Sequence, residues 1–201
     1  MRNLKDYVKV YDNVLSRQTC EHIIRRFESS GKKTDGFSAT VDGVKDNGWK
    51  RNMEIHISSQ PEFKDIDQLI FKNLSLYATK YISEMNSMFG EQPMLSKKFY
   101  DTGYLVKRYD VNNGWFNWHH DSCVENNGSA YRIAGIIFYL NNVFQGGKTE
   151  FSFGTSIKPV TGRLAIFPAT WQFMHKGAIP ISNKKYIITS FLYSESPSYY
   201  Y

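Results

Sequence analysis

From residue 98 onward the chain breaks into short β-branched and aromatic runs, separated by Asn112-Asn113-Gly114, Asn126-Asn127-Gly128, Gly146-Gly147 and Thr161-Gly162. Turn chemistry at such close intervals leaves room for strands and hairpins but not for long helices. Short strands of this spacing pair into a sandwich or jelly roll. The first half reads differently. Residues 7–15 alternate like a short strand, and Ser16 stands where an N-cap is wanted before Cys20, Ile23, Ile24 and Phe27 at helical spacing. Met53 to Ile57 is strand-like. From about Glu62 to Met88, residues Phe63, Ile66, Leu69, Ile70, Leu74, Leu76, Tyr77, Tyr81 and Ile82 recur at largely helical spacing, which predicts one long helix or two with a break. The expected fold is mixed α and β, with N-terminal supporting helices packed outside a jelly-roll core.

At 201 residues the chain fits one domain with a substantial core. Residues 30–50 are rich in Ser, Gly, Lys and Asp, and Gly31 to Asn47 reads as a long loop that closes as a lid. The polar and aromatic tail from Ser194 to Tyr201 is expected to be loosely held.

Lys plus Arg number 25 against 19 Asp plus Glu, a mildly basic balance that suits acidic peptides, small dicarboxylates or nucleic acid without a dense basic run to favour the last. Two cysteines, Cys20 and Cys123, make neither a disulfide framework nor a zinc site, so a reducing compartment is inferred. Charges at Arg2, Lys5 and Asp6 interrupt the apolar core that a secretory signal needs, and no apolar run approaches a membrane span. The reading is a cytoplasmic protein without membrane partners, its oligomeric state left open.

The chemistry is concentrated at Trp118-His119-His120-Asp121, with His175 and Lys185 downstream. Two imidazoles and one carboxylate suit a non-haem Fe(II) that keeps positions open for a cosubstrate and O₂. On a strand, residues 119 and 121 share a face while 120 looks away, so His119 rather than His120 is the expected partner of Asp121.

The surroundings carry a resemblance. Tyr109 lies ten residues before His119, and Phe138-Tyr139-Leu140-Asn141, Gly146-Gly147-Lys148-Thr149-Glu150-Phe151, Lys158-Pro159-Val160-Thr161-Gly162, Leu164-Ala165-Ile166-Phe167-Pro168, His175, Pro180 and Lys185-Tyr186-Ile187-Ile188-Thr189 follow in order. In order and spacing, residues 98–195 resemble the catalytic domain of 2-oxoglutarate/Fe(II)-dependent oxygenases of the prolyl 4-hydroxylase type. The resemblance implies a catalytic double-stranded β-helix over 98–195, supported by residues 1–97, with the metal inside the barrel mouth. It implies Fe(II) on His119, Asp121 and His175, with O₂ as oxidant and ascorbate admitted as a reductant. It also implies that Lys185 holds the distal carboxylate of 2-oxoglutarate, aided by Tyr139, with Tyr109 lining that pocket; Thr189 shares a strand face with Lys185. Related halogenases put a small residue where this chain has Asp121, so hydroxylation is implied over halogenation.

The activity so implied is hydroxylation of prolyl residues in a peptide or protein, with release of succinate and CO₂. The same chemistry on a free amino acid, another small molecule or an alkylated nucleic acid is the alternative, and a binding module that has lost the reaction is a third reading. Against the third stands the presence of all four of His119, Asp121, His175 and Lys185. Arg51 and Trp115, with Trp49 and Trp171, are candidates for a substrate groove, because aromatic walls and an arginine suit an extended peptide.

Overall fold

The computed structural model describes residues 2–36, 38–39, 45–46, 48–90, 95–96, 98–125 and 130–195. Its strands are β1 (Lys9–Tyr11), β2 (Thr34–Asp35), β3 (Ser38–Ala39), β4 (Lys45–Asp46), β5 (Lys50–Arg51), β6 (Met53–His56), β7 (Tyr100–Asp101), β8 (Leu105–Tyr109), β9 (Trp115–His119), β10 (Val124–Glu125), β11 (Ala130–Tyr139), β12 (Thr149–Phe151), β13 (Ser156–Ile157), β14 (Arg163–Pro168), β15 (His175–Gly177) and β16 (Lys185–Glu195). Two helices, α1 (Arg17–Ser29) and α2 (Lys64–Ser87), precede most of them.

The major sheet runs β1-β14-β11-β16-β8-β6-β2, with β10 beside β11 and β7 beside β16, and the minor sheet runs β13-β12-β15-β9-β5. Every pairing is antiparallel, and together the sheets form a jelly roll. The period-2 pattern of the central strands explains the layering. Ile136 and Phe138 of β11, Leu164 and Ile166 of β14, and Ile188 and Leu192 of β16 pack with Ile23, Phe27, Ile70 and Leu74 of the two helices. Their neighbours Ile137, Tyr139, Ala165, Phe167 and Ile187 face the other way, into a second cluster with Phe151 and Ile157 of the minor sheet. Each fully buried large apolar side chain stabilises by about 1.5–3 kcal/mol, so the helix layer holds the major sheet in shape while the second cluster and the site lie between the sheets.

Ser16 caps α1, its hydroxyl accepting from the Thr19 amide at 3.0 Å. The long apolar periodicity forms α2 as one helix without a break. The strand expected over 7–15 is shorter, because Leu4–Tyr7 is a 3₁₀ turn and only Lys9–Tyr11 pairs, with β14. The segment 31–47 is not uniformly a loop: Thr34–Asp35 pairs with β6, and Ser38–Ala39 pairs with Lys45–Asp46. Those contacts are long-range backbone bonds, which a polar sequence does not announce; the remaining positions of the expected lid, 37, 40–44 and 47, lie outside the described residues. Of the tail expected to be loose, Ser194 and Glu195 complete the pairing of β16 with β11, and 196–201 lie outside the described residues. Strands from residues 1–97 enter both sheets, β1, β2 and β6 in the major one and β5 in the minor. Cys20 is buried and Cys123 exposed, both as free thiols. Among the described residues, no helix is long and apolar enough to cross a membrane.

Candidate active site

β9 and β15 lie side by side in the minor sheet with His119 directly opposite His175. The ladder then slips, since Gly177 pairs with Phe116: one residue on β15, Lys176, faces two on β9, Asn117 and Trp118. This bulge brings Phe116 onto the face of His119, where strict alternation would have put it behind, and the two rings stack with centroids 3.6 Å apart. His175 is boxed by Phe167 and Phe151, at 4.8 and 5.6 Å between centroids.

Asp121 joins the pair by a different route from the one its spacing predicts. β9 ends at His119, so Asp121 is not on the strand, and same-face alternation is not what aims it. Instead the chain leaves the minor sheet and brings the carboxylate against Gly135 of β11, so close that a Cβ built on that glycine would lie 2.4 Å from Asp121 Oδ2. His120 is exposed, in keeping with its expected outward direction.

Donor atoms of His119, Asp121 and His175 all lie within 4.8 Å of one another. The Nε2 of His119 is 3.6 Å from Asp121 Oδ1, and the Nε2 of His175 is 3.7 Å from Asp121 Oδ2. Each imidazole has its other nitrogen committed: Nδ1 of His119 donates to the Asn117 carbonyl at 2.7 Å, and Nδ1 of His175 to the Phe173 carbonyl at 3.0 Å. A carbonyl only accepts, so in the neutral rings the proton sits on Nδ1 and the Nε2 lone pairs point inward. Burial, reinforced by the neighbouring His175, pushes the His119 pKa down to about 2, keeping it neutral and ready to ligate. This donor set, two neutral imidazoles and one carboxylate on one side of a cavity, fits an Fe(II) with open positions.

The cavity beside these donors is lined by Tyr109, Thr149, Lys185 and Thr189 as well as by Phe116 and Ile187. Lys185, Ile187, Thr189 and Phe191 are the inward row of β16. The Lys185 ammonium is 2% exposed, and desolvation alone lowers its pKa to about 7. Its Nζ stands 5.4 Å over the Tyr109 ring and 5.7 Å over that of Tyr139. The Thr189 hydroxyl is buried without a hydrogen-bond partner, an orphan that a polar guest would satisfy. Tyr139 is fully buried, and its hydroxyl bonds to Thr149 Oγ1 at 2.8 Å, so it is Thr149 that borders the cavity.

The other candidates fall outside this cavity. Arg51 and Trp115 face each other across the β5–β9 pair, beside the ligand strand. Trp49 and Trp171 are exposed. Two other cations are engaged elsewhere: Arg163 is held by Asp12 at 2.7 Å, and Lys184, the residue before Lys185, lies 3.9 Å from Asp110.

Three participants escaped the sequence reading. Phe116 was hidden by the bulge, and Thr149 by its place in an apparent turn segment. Lys107 lines the cavity and is 7% exposed; burial and the nearby Lys50 lower its pKa to about 8, against the pull of Glu54 and Asp121. Its only signal was its position two residues before Tyr109, on the same strand face.

Residues 104–193 match the family model of the 2OG-Fe(II) oxygenase superfamily. That span takes in His119, Asp121, His175 and Lys185, and over it the chain is similar to the superfamily. It is a 2-oxoglutarate-dependent dioxygenase that uses Fe(II), 2-oxoglutarate and O₂. No curated protein matches it in sequence. Among solved structures, its architecture is similar to a viral collagen prolyl hydroxylase from Paramecium bursaria Chlorella virus-1 in complex with 2-oxoglutarate, at 17% identity and TM-score 0.63 over 94% of this chain and 96% of that one. It is similar also to a prolyl hydroxylase from Trichoplax adhaerens in complex with a hypoxia inducible factor peptide, at 19% identity and TM-score 0.67, covering 93% of this oxygenase and 83% of the other chain. A Pseudomonas putida prolyl 4-hydroxylase matches at 16% identity and TM-score 0.60, over 92% and 91% of the two chains. At these identities the likeness is one of fold, and the oxygenase shares the jelly-roll architecture of these enzymes.

Proposed function

We propose that this oxygenase hydroxylates prolyl residues in a peptide or protein, with His119, Asp121 and His175 holding Fe(II) and Lys185 holding 2-oxoglutarate. The observation that carries the reading is a cavity bordered both by three converging metal donors and by a buried ammonium that, among the described residues, no carboxylate neutralises. Bound there, Fe(II) couples oxidative decarboxylation of 2-oxoglutarate, to succinate and CO₂, with insertion of one oxygen atom into a substrate C–H bond. The chain's own share is binding and orientation. Lys185 supplies a point charge for the distal carboxylate, and the orphaned Thr189 hydroxyl and the Thr149 hydroxyl steered by Tyr139 supply directional hydrogen bonds. Tyr109, with Phe116 and Ile187, excludes water from around that charge, which strengthens it. Asp121 leaves one fewer open position than a small residue would, in line with hydroxylation. Arg51 and Trp115, paired where the edge strand β5 meets the start of β9, form the rim over which a peptide lies. The prolyl assignment is supported by the three solved structures of the same architecture, all prolyl hydroxylases, one of them with a peptide bound.

The test is succinate formation and a mass gain of one oxygen with a proline-containing peptide, compared with free proline and with methylated single-stranded DNA. Stimulation by the peptide is expected; stimulation by only one of the other two moves the substrate class and leaves the cosubstrate chemistry intact.

The anchor has its own signature. A partly desolvated charged hydrogen bond is worth roughly 1.5–3 kcal/mol, so Lys185→Ala should raise the 2-oxoglutarate KM by about ten- to a hundredfold. Only the ammonium attracts the dicarboxylate, and the free protein loses that proton as pH rises through about 7. Affinity for 2-oxoglutarate is therefore expected to weaken with rising pH above about 7, and Lys185→Arg, which does not titrate there, should flatten the profile. Anaerobic calorimetry from pH 6 to 9 reads both; identical profiles for the two proteins would remove Lys185 from the anchor.

A further inference from the structure

We propose that Lys107 docks a carboxylate of the primary substrate, the molecule that is hydroxylated. This rests on the oxygenase reading above and extends it from the cosubstrate to its partner in the reaction.

The first support is position. Lys107 sits on β8 opposite Ile187 of β16 and Glu54 of β6, two residues before Tyr109, and borders the same cavity as Asp121. It is therefore on the inward face, beside the chemistry rather than behind it.

Charge is the second support. Around this wall stand three buried lysines, Lys50, Lys107 and Lys185, against the two carboxylates of Glu54 and Asp121. Glu54 is already engaged: its Oε2 accepts from Lys50 Nζ at 3.2 Å and from Asn52 Nδ2 at 3.0 Å. Burial alone would raise the Glu54 carboxyl, yet Lys107 and Lys50 together hold its pKa below the usual value, so it stays ionised and is shared between two cations. When Fe(II) and doubly charged 2-oxoglutarate enter, their charges cancel, and one positive charge remains on the wall. A buried excess charge is costly unless a partner arrives to neutralise it. After Lys185 is taken by the cosubstrate, Lys107 is the ammonium left facing the cavity, and a single carboxylate balances it. An acidic side chain beside the target residue of a peptide, or the free carboxylate of a small acid, supplies that group.

The experiment measures dissociation constants anaerobically by calorimetry, with Fe(II) and 2-oxoglutarate present, for ligand twins that differ only in acid against amide. The twins are proline peptides with Glu or with Gln next to the proline, N-acetylproline and its amide, and hexanoate and hexanamide. At least one acid is expected to bind roughly ten- to a hundredfold tighter than its amide. Lys107→Met should erase that preference while leaving the 2-oxoglutarate Kd unchanged, and Lys107→Arg should keep it. Thermal melting of both variants identifies a folding defect, in which case the arginine variant alone decides. The peptide pair against the small acids reports which source of carboxylate is used. No acid preference in the parent, persistence of the preference in Lys107→Met, or a weakened 2-oxoglutarate Kd in that variant would each overturn the proposal. Oxidation of the prolyl probes is read separately by mass, so failure of the prolyl assignment is distinguishable from failure of the carboxylate dock.

Discussion

Replacing His175 by alanine is expected to abolish 2-oxoglutarate consumption and to remove tight Fe(II) binding while leaving the fold standing. The expectation follows from what the imidazole does and does not hold. Its Nε2 faces Asp121 Oδ2 at 3.7 Å, and its Nδ1 is spent on the Phe173 carbonyl, so the ring's whole geometry is devoted to presenting one lone pair inward. Without it, one imidazole and one carboxylate remain, too few donors to fix an Fe(II). The fold depends on it little. β15 is only three residues long and pairs through its backbone with β12 and β9, and the space left by the ring is bordered by Phe151 and Phe167, which stay packed in the interior cluster. Anaerobic Fe(II) titration and a thermal melt separate the two effects. Undiminished 2-oxoglutarate turnover in the variant would sink the metal assignment, and a collapsed melt would show that the ring has a structural share.

How much of this was legible depended on whether the information was local. The Ser16 cap and the helical run over 64–87 are written in spacing, though spacing left open whether that run is one helix or two, and the structure makes it one. The inward row Lys185, Ile187, Thr189 was readable for the same reason, since alternation on a long central strand leaves no choice of face. Where the chain departs from regular geometry, the pattern misled. Alternation put His119 and Asp121 on one face of one strand; in fact the strand stops at His119, and the carboxylate is positioned by its contact with Gly135. The bulge that turns Phe116 onto His119 depends on the register between two strands nearly sixty residues apart, and no local feature records it. Lys107 was missed because a lysine in a strand reads as solvated until its neighbours across the sheet, Glu54 and Ile187, are known. The segment 31–47 looked featureless for a similar reason, because its pairing with β6 is made by backbone groups that every residue carries.

Gly135→Ala is expected to weaken Fe(II) binding by roughly ten- to a hundredfold through a residue that is not itself a ligand. The added methyl would lie 2.4 Å from Asp121 Oδ2 and 2.8 Å from Phe167 Cε2, so something must move by about an ångström to restore van der Waals contact. Phe167 has little room to retreat, being wedged against Phe151 at 5.1 Å and His175 at 4.8 Å between ring centroids. The backbone of β11 is also fixed, with Gly135 paired to Phe167 on one side and Phe191 on the other. Asp121, on the irregular segment after β9, is the member free to yield, and any displacement carries its carboxylate away from the two imidazoles. Overpacking of this size costs about 1–3 kcal/mol of stability, which a folded chain of 201 residues withstands, so metal affinity should suffer while the melt shifts only modestly. Gly177→Ala is the matched control on β15 of the minor sheet, because a Cβ there meets Phe116 only at 3.5 Å, an ordinary contact. Fe(II) affinity lost in Gly135→Ala and kept in Gly177→Ala would establish that a bare α-carbon opposite the carboxylate is part of the metal site; equal affinity in both would mean that Asp121 is positioned by something other than the glycine it rests against.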